Sequence, residues 1–174
     1  MRLLKPLVAF DITMLEQTLA LARAASLRQE VPVGAIVVSA AHVLLGQSAN
    51  ATVARRDVCA HAELLALSIA RETSAQSRLD GATLYVSLEP CLMCLSTALT
   101  YRVRRVVFAA RSPKYGALSA GGGAWLDAVP HAMNVECAED DDSEQGRSVA
   151  VSSAALLKDF FARRRAAPLL TPSS

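Results

Sequence analysis

Two stretches carry residues that can do chemistry. "CAHAELLAL", from Cys59 to Leu67, sets His61 and Glu63 two apart at the head of an apolar helical pattern. "LEPCLMC", from Leu88 to Cys94, sets Cys91 and Cys94 three apart where a strand gives way to a helix. On a helix that spacing turns both sulfurs the same way. The positive helix end and a bound cation both favour thiolates there. Two thiolates and one neutral imidazole suit Zn²⁺, and three protein ligands leave the fourth tetrahedral position open to water. Zinc lowers the pKa of such a water to ~7. Glu63 points in a different direction from His61, so it need not bind the metal. It is free to take a proton from the water and hand it to a leaving group.

Each piece has a plainer meaning. A C-x-x-C is also a redox pair or half of a structural zinc site. A closed structural site needs a fourth ligand, for which Cys59 and Cys137 are candidates and His42 and His131 weaker ones. Glu63 is also an ordinary first-turn acid, and Pro90 an ordinary helix starter. Taken together, H-x-E followed after a strand by P-C-x-x-C is a much more specific signal than any one part.

The elements that position these residues are legible from periodicity. Thr13 and Glu16 form a capping box ahead of a first helix with Leu15, Leu19 and Ala22 on one face. "GAIVVSA" and "HVLLGQSA" read as a hairpin joined around Ser39 to Ala41, and Asn50 to Asp57 as a polar loop. A second helix starts near His61 and runs to about Glu72. "ATLYVSL" and "RRVVFAA" read as buried strands flanking the cysteine helix. "RSPKYGALSAGGGAW" is loop, "MNVEC" a short fifth strand, and "AEDDDSEQG" (138–146) an acidic solvated loop. A final helix holds Leu156, Leu157, Phe160 and Phe161 on one face and ends in Arg163 to Arg165, with 166–174 a frayed tail. This order implies a mixed sheet covered by helices in one α/β domain over 1–174, with its core over about 11–165.

The composition fits that picture. The 174 residues are 52% hydrophobic and 20% charged, which is globular and not disordered. A net charge of +2 does not announce nucleic-acid binding, although "YRVRR" and "FFARRR" are local basic clusters. Pro6 and Asp11 cut the start too short for a signal peptide, and no apolar run spans a bilayer. A reducing, cytoplasmic setting is expected, where C-x-x-C reads as metal-binding or redox before disulfide.

The signature H-x-E…P-C-x-x-C resembles that of the zinc-dependent nucleoside and base deaminases. Within that superfamily the chain resembles the bacterial-type tRNA-specific adenosine deaminases, which convert the wobble adenosine of an anticodon to inosine. The matching stretches are "EVPVGAIVV", Asn50, "AHAELLAL", "RLDGATLYVSLEPCLMC", "RVRRVVFAAR" with "PKYGA", and "LLKDFFARRR", in that order over roughly Glu30 to Arg165. The resemblance implies a three-layer α-β-α cytidine-deaminase-like fold with a five-stranded mixed sheet, as a homodimer. It implies one Zn²⁺ per chain on His61, Cys91 and Cys94, with Glu63 as the proton shuttle. It further implies that Asn50, Val33 and the Ala62 backbone contact a flipped-out base, with Phe161, Arg164 and Arg165 near the anticodon stem-loop. An amide reading a base edge, an apolar wall against it and arginines on phosphates form a coherent set. Core packing is the reading of Phe160.

The departures are specific. Val58 and Cys59 replace the family's usual proline and hydroxyl residue, and Leu95, Ser96 and Thr97 replace small residues after Cys94. Ser112 stands where the family usually has an aspartate against the RNA backbone. Loss of that carboxylate removes a repulsion and a possible 2′-hydroxyl contact, which predicts weaker discrimination against single-stranded DNA, or a substrate other than the usual tRNA. The rival readings are a deaminase of free guanine, cytosine or a nucleoside, and a non-catalytic zinc-binding subunit of an editing enzyme.

Overall fold

The computed structural model describes residues 6–120, 126 and 132–166. Helix α1 (Ala9–Leu27) buries Ile12, Leu15, Leu19 and Ala22, the apolar stripe read from the sequence. It starts earlier than the expected Thr13–Glu16 capping box. The Asp11 carboxylate accepts the Val8 N–H at 3.0 Å and caps the helix there, while the Thr13 hydroxyl donates to Ala9 O. The hairpin β1 (Gly34–Val38) and β2 (Leu44–Ala49) follows as expected. Inside the stretch expected as loop, Thr52–Arg55 forms a short helix, α2. Then come α3 (Ala62–Ser74), β3 (Thr83–Leu88), α4 (Leu92–Thr100), β4 (Arg105–Ala110), β5 (Asn134–Cys137) and α5 (Glu144–Ala166).

The sheet order is β2-β1-β3-β4-β5. β1 runs antiparallel to both β2 and β3, and β3, β4 and β5 run parallel. Side chains alternate across it with the period of two that strands impose. Val37, Leu84, Val86, Val106 and Phe108 join Leu67 of α3 and Leu95 of α4 on one face. Ile36, Tyr85 and Val107 join Leu15 of α1 and Val149 of α5 on the other. The architecture is the three-layer mixed sheet expected. Gly46 lets α3 lie against β2: a Cβ there would stand 2.4 Å from Ala66 O and 2.7 Å from Ala70 N.

Arg105 ties the α1 side of this sheet together. Its guanidinium donates to both Asp11 oxygens at 2.6 and 2.9 Å and also grips the Glu136 carboxylate, while the Tyr85 hydroxyl donates to Asp11 at 2.6 Å. Asp11 is 1% exposed. Its burial alone would raise its pKa, but the Arg105 and Tyr85 hydrogen bonds hold it below the ordinary carboxylate value. Arg105→Ala is therefore expected to strand a buried carboxylate, costing on the order of 3 kcal/mol and roughly 10 °C of melting temperature. Because the folded pKa of Asp11 is depressed, its stabilisation is complete above the unfolded value of ~3.9 and is lost as pH falls through the folded one. Thermal melts across pH 2–6 should show wild type losing this increment below about pH 4 and Arg105→Ala lacking it.

The acidic segment differs from the solvated loop expected. Ala138–Asp140 form a 3₁₀ turn, and α5 already begins at Glu144. Arg111 pairs with Asp140 at 2.5 Å and gives its backbone N–H to Glu139, while Asp141 is 7% exposed and accepts the Leu7 N–H. Long-range partners order a stretch whose composition alone reads as loop. The glycines 121–123, His131 and the tail beyond 166 lie outside the described residues. No described helix is long and apolar enough to cross a membrane.

Candidate active site

His61 and Cys91 each occupy the residue just before a helix. His61 caps α3 at φ −71° and ψ 147°, and Cys91 caps α4 at φ −71° and ψ 168°. The positive ends of two helices thus meet the ligand candidates, and Cys94 follows in the first turn of α4. Pro90 lies one residue before the cap, outside the helix and not in its first turn.

The three donor atoms form a compact triangle. Cys91 Sγ is 3.8 Å from His61 Nδ1, Cys94 Sγ is 3.4 Å from it, and the two sulfurs are 3.6 Å apart. A tetrahedral zinc with bonds of about 2.3 Å to sulfur and 2.0–2.1 Å to nitrogen sets these edges at about 3.6 Å and 3.8 Å. The donors fit zinc in number, softness and spacing. Their protonation points the same way. A hydrogen bond from the Cys94 thiol drops Cys91 to about 4, and the same bond raises Cys94. Hydrogen bonding to Cys91 raises His61 above its usual value against the effect of burial. A divalent cation bound by these donors would take the place of the protons they share.

The candidates for a closing fourth ligand stand elsewhere. Cys59 is exposed, with its backbone N–H on Asp57 Oδ1, and is not in the triangle. Cys137 is buried against Ala109 O, its thiol pushed up to about 12 by burial. His42 stacks on Phe10, ring centroids 4.1 Å apart, at the β1–β2 hairpin. Among the described residues, only His61, Cys91 and Cys94 come together with this spacing.

Glu63 sits in the first turn of α3, 4% exposed, with its carboxyl raised by burial. It borders a cavity of about 260 Å³ shared with His61, Cys91, Val33, Asn50 and Phe161. Those expected site residues come together. Phe161 is 40% exposed at the rim, while Phe160 is 2% exposed in the core. Ala62 is fully buried in the core cluster and does not line the cavity. Arg164 and Arg165 are exposed on the last turn of α5 and do not line it either; the Arg164 guanidinium lies 5.9 Å from the Phe160 ring centroid.

Sequence reasoning missed two buried carboxylates that brace this cavity. Glu89, 4% exposed, accepts the N–H groups of Ser112, Leu118 and Ser119 and the Ser119 hydroxyl. Those bonds hold its pKa below normal despite burial. They fix the loop that brings Ser112 and Tyr115 to the cavity wall. Glu30, 0% exposed, does the same for the turn carrying Asn50 and Thr52. Both lie inside quoted stretches, "EVPVGAIVV" and "LEPCLMC", yet only their partners, distant in sequence, mark them.

Two thiolates and an imidazole beside a buried carboxylate, on a mixed five-stranded sheet, are the donor set of a hydrolytic zinc enzyme. Residues 9–110 match the cytidine and deoxycytidylate deaminase zinc-binding region. The tRNA-specific adenosine deaminase of Agrobacterium fabrum is 38% identical over 151 residues, covering 87% of this chain and 93% of that protein. The chain therefore belongs to the zinc-dependent deaminases and, among them, to the family of tRNA-specific adenosine deaminases. A solved structure from work on A-to-I editing by tRNA:A34 deaminases superposes with TM-score 0.72 at 36% identity, covering 83% of this chain and 99% of that one. A guanine deaminase from Nitrosomonas europaea superposes with TM-score 0.71 at 26% identity, covering 91% and 87%. A Deinococcus deserti tRNA(Ile)-lysidine synthase is 47% identical over 106 residues, but the chain spans only 20% of that protein's length.

Proposed function

We propose that the chain is a zinc-dependent deaminase converting adenosine to inosine at the wobble position of a tRNA anticodon. The observation that carries it is the His61–Cys91–Cys94 triangle beside buried Glu63 in one cavity. The 38% identity to a tRNA-specific adenosine deaminase over most of both chains supports adenosine over guanine, because the fold itself is shared with guanine deaminases.

His61 Nδ1 and the two thiolates would hold one zinc. When bound there, zinc supplies an acidified water as the nucleophile toward C6 of the base. Glu63 would take one proton of that water and give it to a ring nitrogen, then take the second proton, from the hydroxyl now on C6, and give it to the departing amine. The C–N bond breaks, ammonia leaves, and a carbonyl remains at C6. Asn50 and Val33 hold the base, with the Ala62 backbone as a further contact. Phe161 presents an aromatic face at the rim, and Arg164 and Arg165 meet anticodon phosphates. The protein works as a homodimer in the cytoplasm.

Ammonia release separates this reading from its rivals. The hairpin carrying a wobble adenosine is expected to react, and free guanine, cytosine and adenosine are not. Release from free guanine alone would overturn it.

Ser112 admits single-stranded DNA as a second substrate, since it offers no carboxylate to a substrate 2′-hydroxyl, the group that tells RNA from DNA. Matched RNA and DNA hairpins are expected to react within about tenfold of each other, and a preference for RNA of about a hundredfold would contradict this.

A further inference from the structure

Asn50 is 5% exposed, lines the cavity, and has one end of its amide already committed. Its Nδ2 lies 3.3 Å from Glu30 Oε2 and 3.3 Å from Thr52 Oγ1. Glu30 is 0% exposed and outside the cavity lining. Hydrogen bonds from the Ala54 and Val53 N–H groups and the Thr52 hydroxyl keep its pKa below normal despite burial. An ionised carboxylate only accepts, so the amide atom beside it must be the NH₂ group. The amide's other end, Oδ1, accepts no hydrogen bond among the described residues.

We infer that Glu30 is a positioning residue that fixes the polarity of the Asn50 amide, so that this wall of the cavity presents an acceptor and selects a substrate offering an N–H or O–H donor. This rests on the proposed function, in which Asn50 faces the substrate. Within an RNA strand, where the 3′- and 5′-oxygens are esterified, an adenosine offers two such donors, the exocyclic amine and the ribose 2′-hydroxyl, while its N1, N3 and N7 are acceptors. Were the amide reversed, its NH₂ would favour those ring nitrogens instead. Glu30 never touches the substrate. Its carboxylate sets which end of the amide does.

A reciprocal swap tests this. Glu30→Gln puts an amide against an amide and releases Asn50 to turn over. Asn50→Asp sets two carboxylates against each other. Each single change is expected to lower kcat/KM on the wobble-adenosine RNA hairpin about tenfold or more, the scale of a lost hydrogen bond to a charged group. In the double variant the amide introduced at position 30 donates to the carboxylate introduced at position 50, whose other oxygen faces the cavity, while the Val53 N–H and Thr52 hydroxyl lose the acceptor that Glu30 Oε2 gives them, a cost that falls on melting temperature. It is expected to recover to within about threefold of wild type, a strongly non-additive outcome. Repeating the cycle with 2′-deoxyadenosine at the target identifies the donor. A penalty that persists assigns it to the exocyclic amine, and one that vanishes assigns it to the hydroxyl.

Melting temperature separates polarity from bracing. If Glu30 only braced α2, Glu30→Gln would lower melting temperature and kcat/KM together, and adding Asn50→Asp would restore neither. Additive losses, or a Glu30→Gln protein that fails to fold with or without Asn50→Asp, would overturn the inference. So would single variants with wild-type kcat/KM. If wild type itself leaves the hairpin untouched, the proposed function falls, and the inference with it.

Discussion

Glu63→Ala is expected to remove deaminase activity while leaving zinc in place. The carboxylate lies outside the donor triangle, so the three metal ligands survive its loss. At 4% exposure beside the cavity it is placed to hold a proton between water and base, and burial raises its carboxyl toward the range where it can both accept and return one. General acid–base catalysis contributes about 10² to 10⁴ in rate, and both the attack and the departure of ammonia draw on this one group, so a loss at the upper end is expected. Glu63→Gln keeps the shape and should fail almost as completely. Zinc content by atomic absorption together with hairpin deamination checks both halves. Lost zinc in either variant would mean that Glu63 serves the metal, and retained activity would mean that another group moves the proton.

The second large effect follows from the ligands. Cys91→Ala, or a strong chelator, should abolish both bound zinc and activity. Cys91 caps α4 and neighbours both other donors, at 3.8 Å from His61 and 3.6 Å from Cys94, so no two-ligand remnant holds the metal. A metal that binds only the folded state stabilises it by mass action, so melting temperature should fall with zinc removal and rise on adding it back. Protons compete for the same donors. The His61 imidazole is raised above its ordinary 6.5 in the metal-free protein, so zinc affinity should weaken as pH falls through neutrality. Zinc titrations of the apo protein at pH 8 and pH 6 check the direction: tighter binding at pH 6 would contradict it. A fully folded, zinc-loaded Cys91→Ala would point to a ligand the triangle does not include.

The site is legible in the sequence because its chemistry is local. His61 and Glu63 share one helix start, Cys91 and Cys94 another, and two short spacings report all four. The strands are legible for a similar reason: "TLYVSL" and "RVVFAA" are apolar on both faces because both faces are covered. Cys59 becomes decidable only in three dimensions, since proximity in sequence to His61 carries no information about where its sulfur points. Glu30, Glu89 and Asp11 look like ordinary acids, and each gains its role from partners more than twenty or ninety positions away. Periodicity misplaces the start of α1 because Asp11, in the first turn, accepts the Val8 N–H and so lets the helix begin four residues before the Thr13 cap that was expected. Composition misreads the acidic segment because Arg111 and the Leu7 amide supply the partners that the segment itself lacks.

Deamination of a wobble adenosine in this cavity can be read at the nucleoside level. The most direct measurement is digestion of an anticodon stem-loop to nucleosides after incubation with the zinc-loaded protein, followed by mass analysis of the wobble position. Inosine at that position, absent elsewhere in the loop and absent with Glu63→Ala, is the predicted result. Unchanged adenosine in the hairpin, with ammonia released from free guanine by the same preparation, would contradict it.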